Sequence, residues 1–329
     1  MATILYGGVV IGPMLAVAAE LGLADLVADS PKTVDELAEA TGSDSSALYR
    51  ALSMLASLGV FTEVEPNVFG ANDMSDTLRT SAEGSLRDLA IMYGHPATVI
   101  AGSQFLPSMK SGRPAFEHLH GTDWYSYIAE HTELGLIFNR AMGGMARQMN
   151  ESALRSYDFT DVRSVIDVGG GAGYLVEMLL KSYPEVEAAI FDQPAVLAAA
   201  SERLRDSGVA ERVQFMPGDF FAEIPPGADI YILSRVLHDW NDKDVVSILT
   251  NVRKAMGERS RLLIFDAVIP EQLNVPHYAK LLDVILLSRY PGTERKESHV
   301  AGLLAEAGLR HADTRVTDGP CSLVVAECA

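Results

Sequence analysis

From about residue 160 the chain falls into short apolar runs separated by stretches with helical spacing. "SVIDVGG", "EAAIFDQ", "VQFMPGD", "DIYILS", "RLLIFDAVI" and "CSLVVAEC" read as strands, rich in Val, Ile and Leu and mostly without polar alternation. Between them, "YLVEMLLKSY", "AVLAAASERLRDSG", "DKDVVSILTNVRKAM" and "ESHVAGLLAEAG" read as helices. Strand and helix alternating in this way predict an α/β fold, a doubly wound, mostly parallel, Rossmann-like sheet over 156–329. Ligands of such a sheet bind outside the C-terminal ends of its strands, near the switch in strand order.

The first hundred residues have another rhythm. "TVDELAEATG" pairs Thr33 with Glu36 as a capping box and stops at Gly42. "DSSALYRALSMLASLGV" places apolar residues at 48, 52, 55 and 58, and "FTEVEPNVFGAND" reads as a small hairpin. Helix, turn, helix, hairpin is the outline of a winged helix. Over 1–90 there are 13 acidic side chains and 4 basic ones, so a scaffold or dimerisation role is expected there rather than DNA binding. The uncharged opening, "MATILYGGVVIGPMLAVAA", lacks a basic leader region and contains Pro13. A buried helix, packed on the chain or between subunits, is expected rather than a signal or membrane segment. Residues 101–155 read as connecting helices, in which Phe138, Met142, Met145 and Met149 lie near one face. That stripe suits a core or the wall of a pocket for a flat apolar ligand.

Charge narrows the partners. A formal net charge of −18 with no basic cluster argues against nucleic acid and against anionic membrane surfaces. Cys321 and Cys328 fall on opposite faces of one expected strand, so no bridge is expected between them, and free thiols fit a reducing cytoplasm.

Chemistry gathers at the strand ends. In "VIDVGGGAGY", Gly169, Gly171 and Gly173 let the backbone turn tightly and let a ligand come close. Asp167 stands where a dinucleotide loop usually has an apolar residue, and a carboxylate there suits a cationic ligand. Asp192 ends the next strand, placed to accept ribose hydroxyls. Asp219 and Phe220 in "GDFF" end the third, an acceptor beside a ring face for adenine. A nucleoside carrying a positive group describes S-adenosylmethionine, whereas Asp167 and "GDFF" speak against nicotinamide. The fourth strand then breaks off into His238, Asp239 and Trp240, followed by Asn241 as the expected cap of the next helix.

Together these motifs resemble the small-molecule O-methyltransferases of the plant caffeate and bacterial antibiotic-tailoring type, over nearly the whole chain. "TVDELAEATGSDSSALYRALSMLASLGVF" matches their winged-helix dimerisation domain, "DVGGGAG", "FDQP" and "GDFF" their cofactor motifs, and "LHDWND", "LLIFDAVIP" and "PGTERKESHVAGLLAEAGL" their catalytic region. "TDWYSYI" and the cofactor half are similar to bacterial phenazine methyltransferases. The resemblance implies a class I methyltransferase domain, a homodimer formed through 1–100, and methylation of a phenolic or heteroaromatic hydroxyl, such as that of a phenazine or polyketide. It implies His238 as general base, oriented by Asp266 or Glu294; plant members have Glu in place of Asp266. Ser234 and Arg235 fall where relatives contact the cofactor, and plant members have Lys in place of Ser234. Phe138, Met142, Asp239, Ile285 and Arg289 are implied at the acceptor. No metal is expected, because no convincing cluster of Asp and Asn ligands is found. The rival reading is a relative that binds the same cofactor for hydroxylation, decarboxylation or a pericyclic step. Such relatives tend to lose the His or its acids, and both are kept here.

Overall fold

A computed structural model describes residues 1–329, which divide into two compact units. The first comprises Met1–Phe105 and Leu119–Met145, the second Leu106–His118 and Ala146–Ala329, so the connecting helices of 101–155 are shared between the two.

In the first unit the capping box forms as its sequence dictates. The Thr33 hydroxyl accepts from the Glu36 amide at 3.2 Å, and the Glu36 carboxylate accepts from the Thr33 amide at 2.7 Å. The helix Val34–Thr41 ends at Gly42, whose φ of +66° is cheap only for glycine. The helix Ser45–Ser57, capped by Asp44, buries Leu48, Leu52 and Leu55. Leu58 falls just past its end and is exposed, because the helical face has already stopped. The hairpin forms from β2 (Thr62–Glu65) and β3 (Val68–Gly70), and β1 (Lys32–Thr33) joins it in the order β1-β3-β2.

The opening helix, Ala2–Glu20, is buried by its own chain only in part. Its last turns bury Ala16, Ala18 and Ala19, and Ala16 sits so close to Gly94 that a Cβ there would lie 2.1 Å away. Its first half is not buried by this chain: Ile4, Leu5, Tyr6 and Val9 are all more than half exposed. The helix is long and apolar enough to cross a membrane by length and composition alone.

The second unit is built on seven strands in the order β6-β5-β4-β7-β8-β10-β9. The strands β4 (Ser164–Val168), β5 (Glu187–Asp192), β6 (Val213–Pro217), β7 (Ile230–Ser234) and β8 (Arg261–Asp266) are parallel. The last strand, β10 (Ser322–Cys328), runs antiparallel to β8 and leaves Cys321 just outside it. A strand that the apolar pattern does not mark, β9 (Leu309–Arg315), closes the edge antiparallel to β10. Its sequence "LRHADTR" is mostly polar because an edge strand keeps much of its surface in water. The chain proceeds outward from β4 through β5 to β6, then returns to β4's other side with β7. The switch in strand order therefore lies between β4 and β7, with Val165 facing Ile230 and Ile166 facing Tyr231 in register.

Candidate active site

The glycine loop follows β4, and its geometry explains its composition. Gly169, Gly171 and Gly173 have φ of +73°, +56° and +76°, a region that costs other residues energy. A Cβ on Gly170 would lie 2.7 Å from the Asp167 carboxylate, and one on Gly169 would lie 2.9 Å from Val236. Neither side chain can yield easily, so this backbone must stay bare.

Asp167 lies beneath that loop, 1% exposed, and neither carboxylate oxygen has a hydrogen-bond partner. Burial, with Asp192 nearby, pushes its carboxyl up to about 7. An unpaired buried carboxylate is costly unless something positive meets it. Its surroundings fit a cationic ligand. Asp192 stands at the end of β5, where it accepts from the Gly171 amide at 2.9 Å and the Gln193 amide at 2.7 Å. Asp219 accepts from the Phe221 amide at 2.8 Å. The Phe220 ring reaches the glycine loop, 3.6 Å from the Cβ position of Gly169, and meets Trp240 nearly edge-on. The ends of β4, β5 and β6 thus bring together the groups expected at a nucleoside. Two supports escaped the sequence reading. Asn251 donates to the carbonyls of Phe220 and Phe221, and its only signal is one amide among apolar positions of the helix Asp242–Ala255. Arg203 donates to the Ala172 carbonyl at 2.7 Å and gives no sequence signal of doing so.

β7 delivers the second group. Ser234 is its last residue, and Arg235 turns the chain with a φ of +57°. Leu237–Asp239 then form one tight helical turn that carries His238, 7% exposed. His238 Nδ1 lies 3.0 Å from Glu294 Oε1, and Nε2 lies 3.4 Å from Asp239 Oδ1. Glu294 therefore holds the imidazole, while Asp266 lies within 4.8 Å of it without a hydrogen bond. Glu294 is itself held, its amide donating to Asp283 at 2.9 Å. Facing an ionised carboxylate, Nδ1 is assigned the proton, which leaves the lone pair on Nε2.

The Arg235 guanidinium, on a residue expected at the cofactor, turns to the two acids. Its Nη1 donates to Glu294 Oε1 at 2.9 Å and reaches Asp266 Oδ1 at 3.5 Å. His238, Asp266 and Glu294 present atoms within 4.8 Å of one another, and the cation bound to both acids is this guanidinium. Burial and Arg235 press the imidazole towards its neutral form, but Asp239, Glu294 and Asp266 outweigh them and lift it above its usual value. Burial pushes Asp266 up to about 6. Glu294 is held below the usual range in spite of burial, by its bonds to His238 and Arg235.

The loop bearing Glu294 is fitted to the histidine turn. A Cβ on Gly292 would lie 1.8 Å from the His238 carbonyl oxygen. Arg295, also missed in the sequence, donates to the Leu237 carbonyl at 2.9 Å and the Trp240 carbonyl at 2.6 Å, gripping both ends of the turn. Trp240 packs on Phe221, and Asn241 caps the following helix. The small cavity beside His238 and Glu294, about 20 Å³, is far below the several hundred a drug-sized ligand fills.

Of the expected acceptor contacts, Asp239 adjoins the imidazole, while Ile285 and the buried Arg289 lie on the helix Tyr278–Arg289. Phe138 and Met142 belong to the first unit, where Phe138 is buried edge-on against Trp124.

Comparison with known proteins shows the family of the chain. Residues 104–310 match the O-methyltransferase domain, and residues 4–81 match the O-methyltransferase dimerisation domain. The chain is 42% identical over 294 residues to the phenazine O-methyltransferase PhzM of Lysobacter antibioticus, covering 89% of this chain and 86% of that one. It is 32% identical to the phenazine-1-carboxylate N-methyltransferase of Pseudomonas aeruginosa, covering 92% and 89% of the two chains. Among solved structures, CalO1, a methyltransferase in calicheamicin biosynthesis in its SAH-bound form, superposes with a TM-score of 0.91 at 32% identity, covering 100% of this chain and 98% of that one.

Proposed function

This chain belongs to the O-methyltransferase family, and from that premise we propose that it methylates the hydroxyl of a small phenolic or heteroaromatic secondary metabolite, a phenazine or polyketide among the candidates, with His238 as general base. S-adenosylmethionine supplies the methyl on a sulfonium that is already a good leaving group. Asp167 meets the positive charge of that cofactor, Asp192 its ribose and Asp219 with Phe220 its adenine. The protein's remaining task is alignment and one proton. A phenol, with a pKa of about 10, gives up little proton at neutral pH. Nε2 of His238 takes that proton as the oxygen attacks, and Glu294 steadies the imidazolium through Nδ1. Asp239, Ile285 and Arg289 are the proposed acceptor contacts.

The observation that carries this reading is the 3.0 Å pair of His238 and Glu294. A second reading is N-methylation, which the Pseudomonas aeruginosa relative's name brings in. A pyridine-type ring nitrogen has no proton to lose and needs no base, so the histidine pair favours a hydroxyl. The dimerisation-domain match over 4–81 supports a homodimer through the N-terminal domain, and the exposed Ile4, Leu5, Tyr6 and Val9 suit a second copy. Free Cys321 and Cys328 suit the cytoplasm.

The test is methyl transfer from labelled S-adenosylmethionine to a panel of phenols, flavonoids, hydroxyquinones and hydroxyphenazines. His238→Ala is expected to lose about 10²-fold or more in rate. Full rate in the variant overturns the base. Cofactor binding by the wild type with no hydroxyl methylated overturns O-methylation and favours nitrogen or non-methylating chemistry.

A further inference from the structure

We propose that Arg235 is a positioning residue for the base: its buried guanidinium takes up the charge of Glu294 and Asp266, so that the acids around His238 hold its proton less tightly and leave the imidazole open to the acceptor's proton. The inference rests on the reading of His238 given above.

Three observations lead to it. First, the histidine stands among more acid than it needs. Glu294 on the loop after the helix Tyr278–Arg289 faces Nδ1, Asp239 on its own turn faces Nε2, and Asp266 at the end of β8 completes the group. The buried Cys321 thiol ahead of β10 is the remaining titratable neighbour, and burial pushes it up to about 12, so it stays uncharged. Left to three carboxylates, a buried imidazole would hold a proton of its own and could not accept another. Second, Arg235 is the cation of this cluster. It shares a single oxygen with the base, since Glu294 Oε1 accepts from Arg235 Nη1 at 2.9 Å and faces His238 Nδ1 at 3.0 Å. Third, the chain accepts a cost to place it there. Arg235 adopts a φ of +57°, a left-handed conformation disfavoured for a long L side chain, directly after β7. Burying a guanidinium is also costly unless acids meet it. A residue needed only to close the turn after β7 would be glycine or asparagine.

Arg235→Gln removes the charge and keeps an amide donor, and Arg235→Lys keeps the charge. The acid limb of kcat/KM is followed from pH 5 to 9.5. The His238 imidazole is titrated by NMR in histidine-labelled full-length enzyme, assigned against His238→Asn. In Arg235→Gln the imidazole midpoint is expected to rise by about one pH unit or more. Activity at pH 7 then falls about tenfold or more and returns by pH 9. Arg235→Lys is expected to bring the limb back. A merely structural role would lower the rate at every pH and leave the limb in place, which overturns the proposal. So does weakened binding of S-adenosylmethionine with an unmoved imidazole, the mark of a cofactor contact. Should Arg235→Gln fail to fold, Arg235→Met carries the same titration and Arg235→Lys still reports the limb. Full rate in His238→Ala would remove the base reading, while the imidazole titration would still measure what Arg235 does to its neighbour.

Discussion

Asp167 offers a perturbation with opposite signs in two assays. Its carboxyl is raised from 3.8 to about 7 by burial and by Asp192. A folded value above the unfolded one means that the native state binds the proton more tightly. The stability this confers is complete below about pH 4 and is lost as pH rises through 7. Three pH units correspond to about 4 kcal/mol, of which roughly 3 kcal/mol is lost between pH 5 and 8.5. Asp167→Asn carries no charge and escapes that loss, but it leaves a buried amide without a partner at a cost of about 1–3 kcal/mol. The ligand-free variant should therefore be no more stable than wild type at pH 5 and more stable by about 1–3 kcal/mol at pH 8.5. Urea midpoints of the two proteins at both pH values measure this. Calorimetry at pH 8.5 should show the reverse for S-adenosylmethionine. Removing one member of a buried charge pair costs about 2–5 kcal/mol, at least about 30-fold in Kd. A stability difference that stays flat with pH would refute the buried charge. Unchanged affinity would refute its pairing with the cofactor.

Two further tests use the same structure. Glu294→Gln should lower kcat by about 10²-fold, because Glu294 alone holds Nδ1 of His238. Asp266→Asn, whose parent makes no hydrogen bond to the imidazole, should cost about tenfold or less, and the opposite ranking in single-turnover rates would reassign the orienting acid. Val9→Asp places a charge on the exposed half of the opening helix, 72% exposed at that residue. It should turn a dimer into a monomer by light scattering, and an unchanged mass would move the interface elsewhere.

The residues legible in the sequence are those that break a local rule in plain view. Asp167 interrupts an apolar run, glycines crowd a strand end, and His238 stands just past a buried strand. What stayed hidden has a common cause. Arg295 and Asn251 act on backbone carbonyls of Leu237, Trp240, Phe220 and Phe221, and every residue has a carbonyl, so no side-chain pattern names the partner. β9 was hidden because an edge strand need not be apolar. The opening helix is apolar all round, and its own unit covers only its last turns. The choice between Asp266 and Glu294 turned on a difference that motifs do not record. Both acids lie beside His238, but the loop of Thr293 and Glu294 is fixed by Asp283 and pressed on the histidine turn through Gly292, while Asp266 faces Arg235. The cation and base sharing one carboxylate oxygen required a left-handed turn at Arg235 that no propensity predicts for arginine. That strained turn, the unpaired Asp167 and the unpartnered second oxygen of Glu294 all lie in the candidate site. Such costs persist where a ligand or a reaction offsets them, which is the physical ground for reading these strand ends as the working part of the molecule.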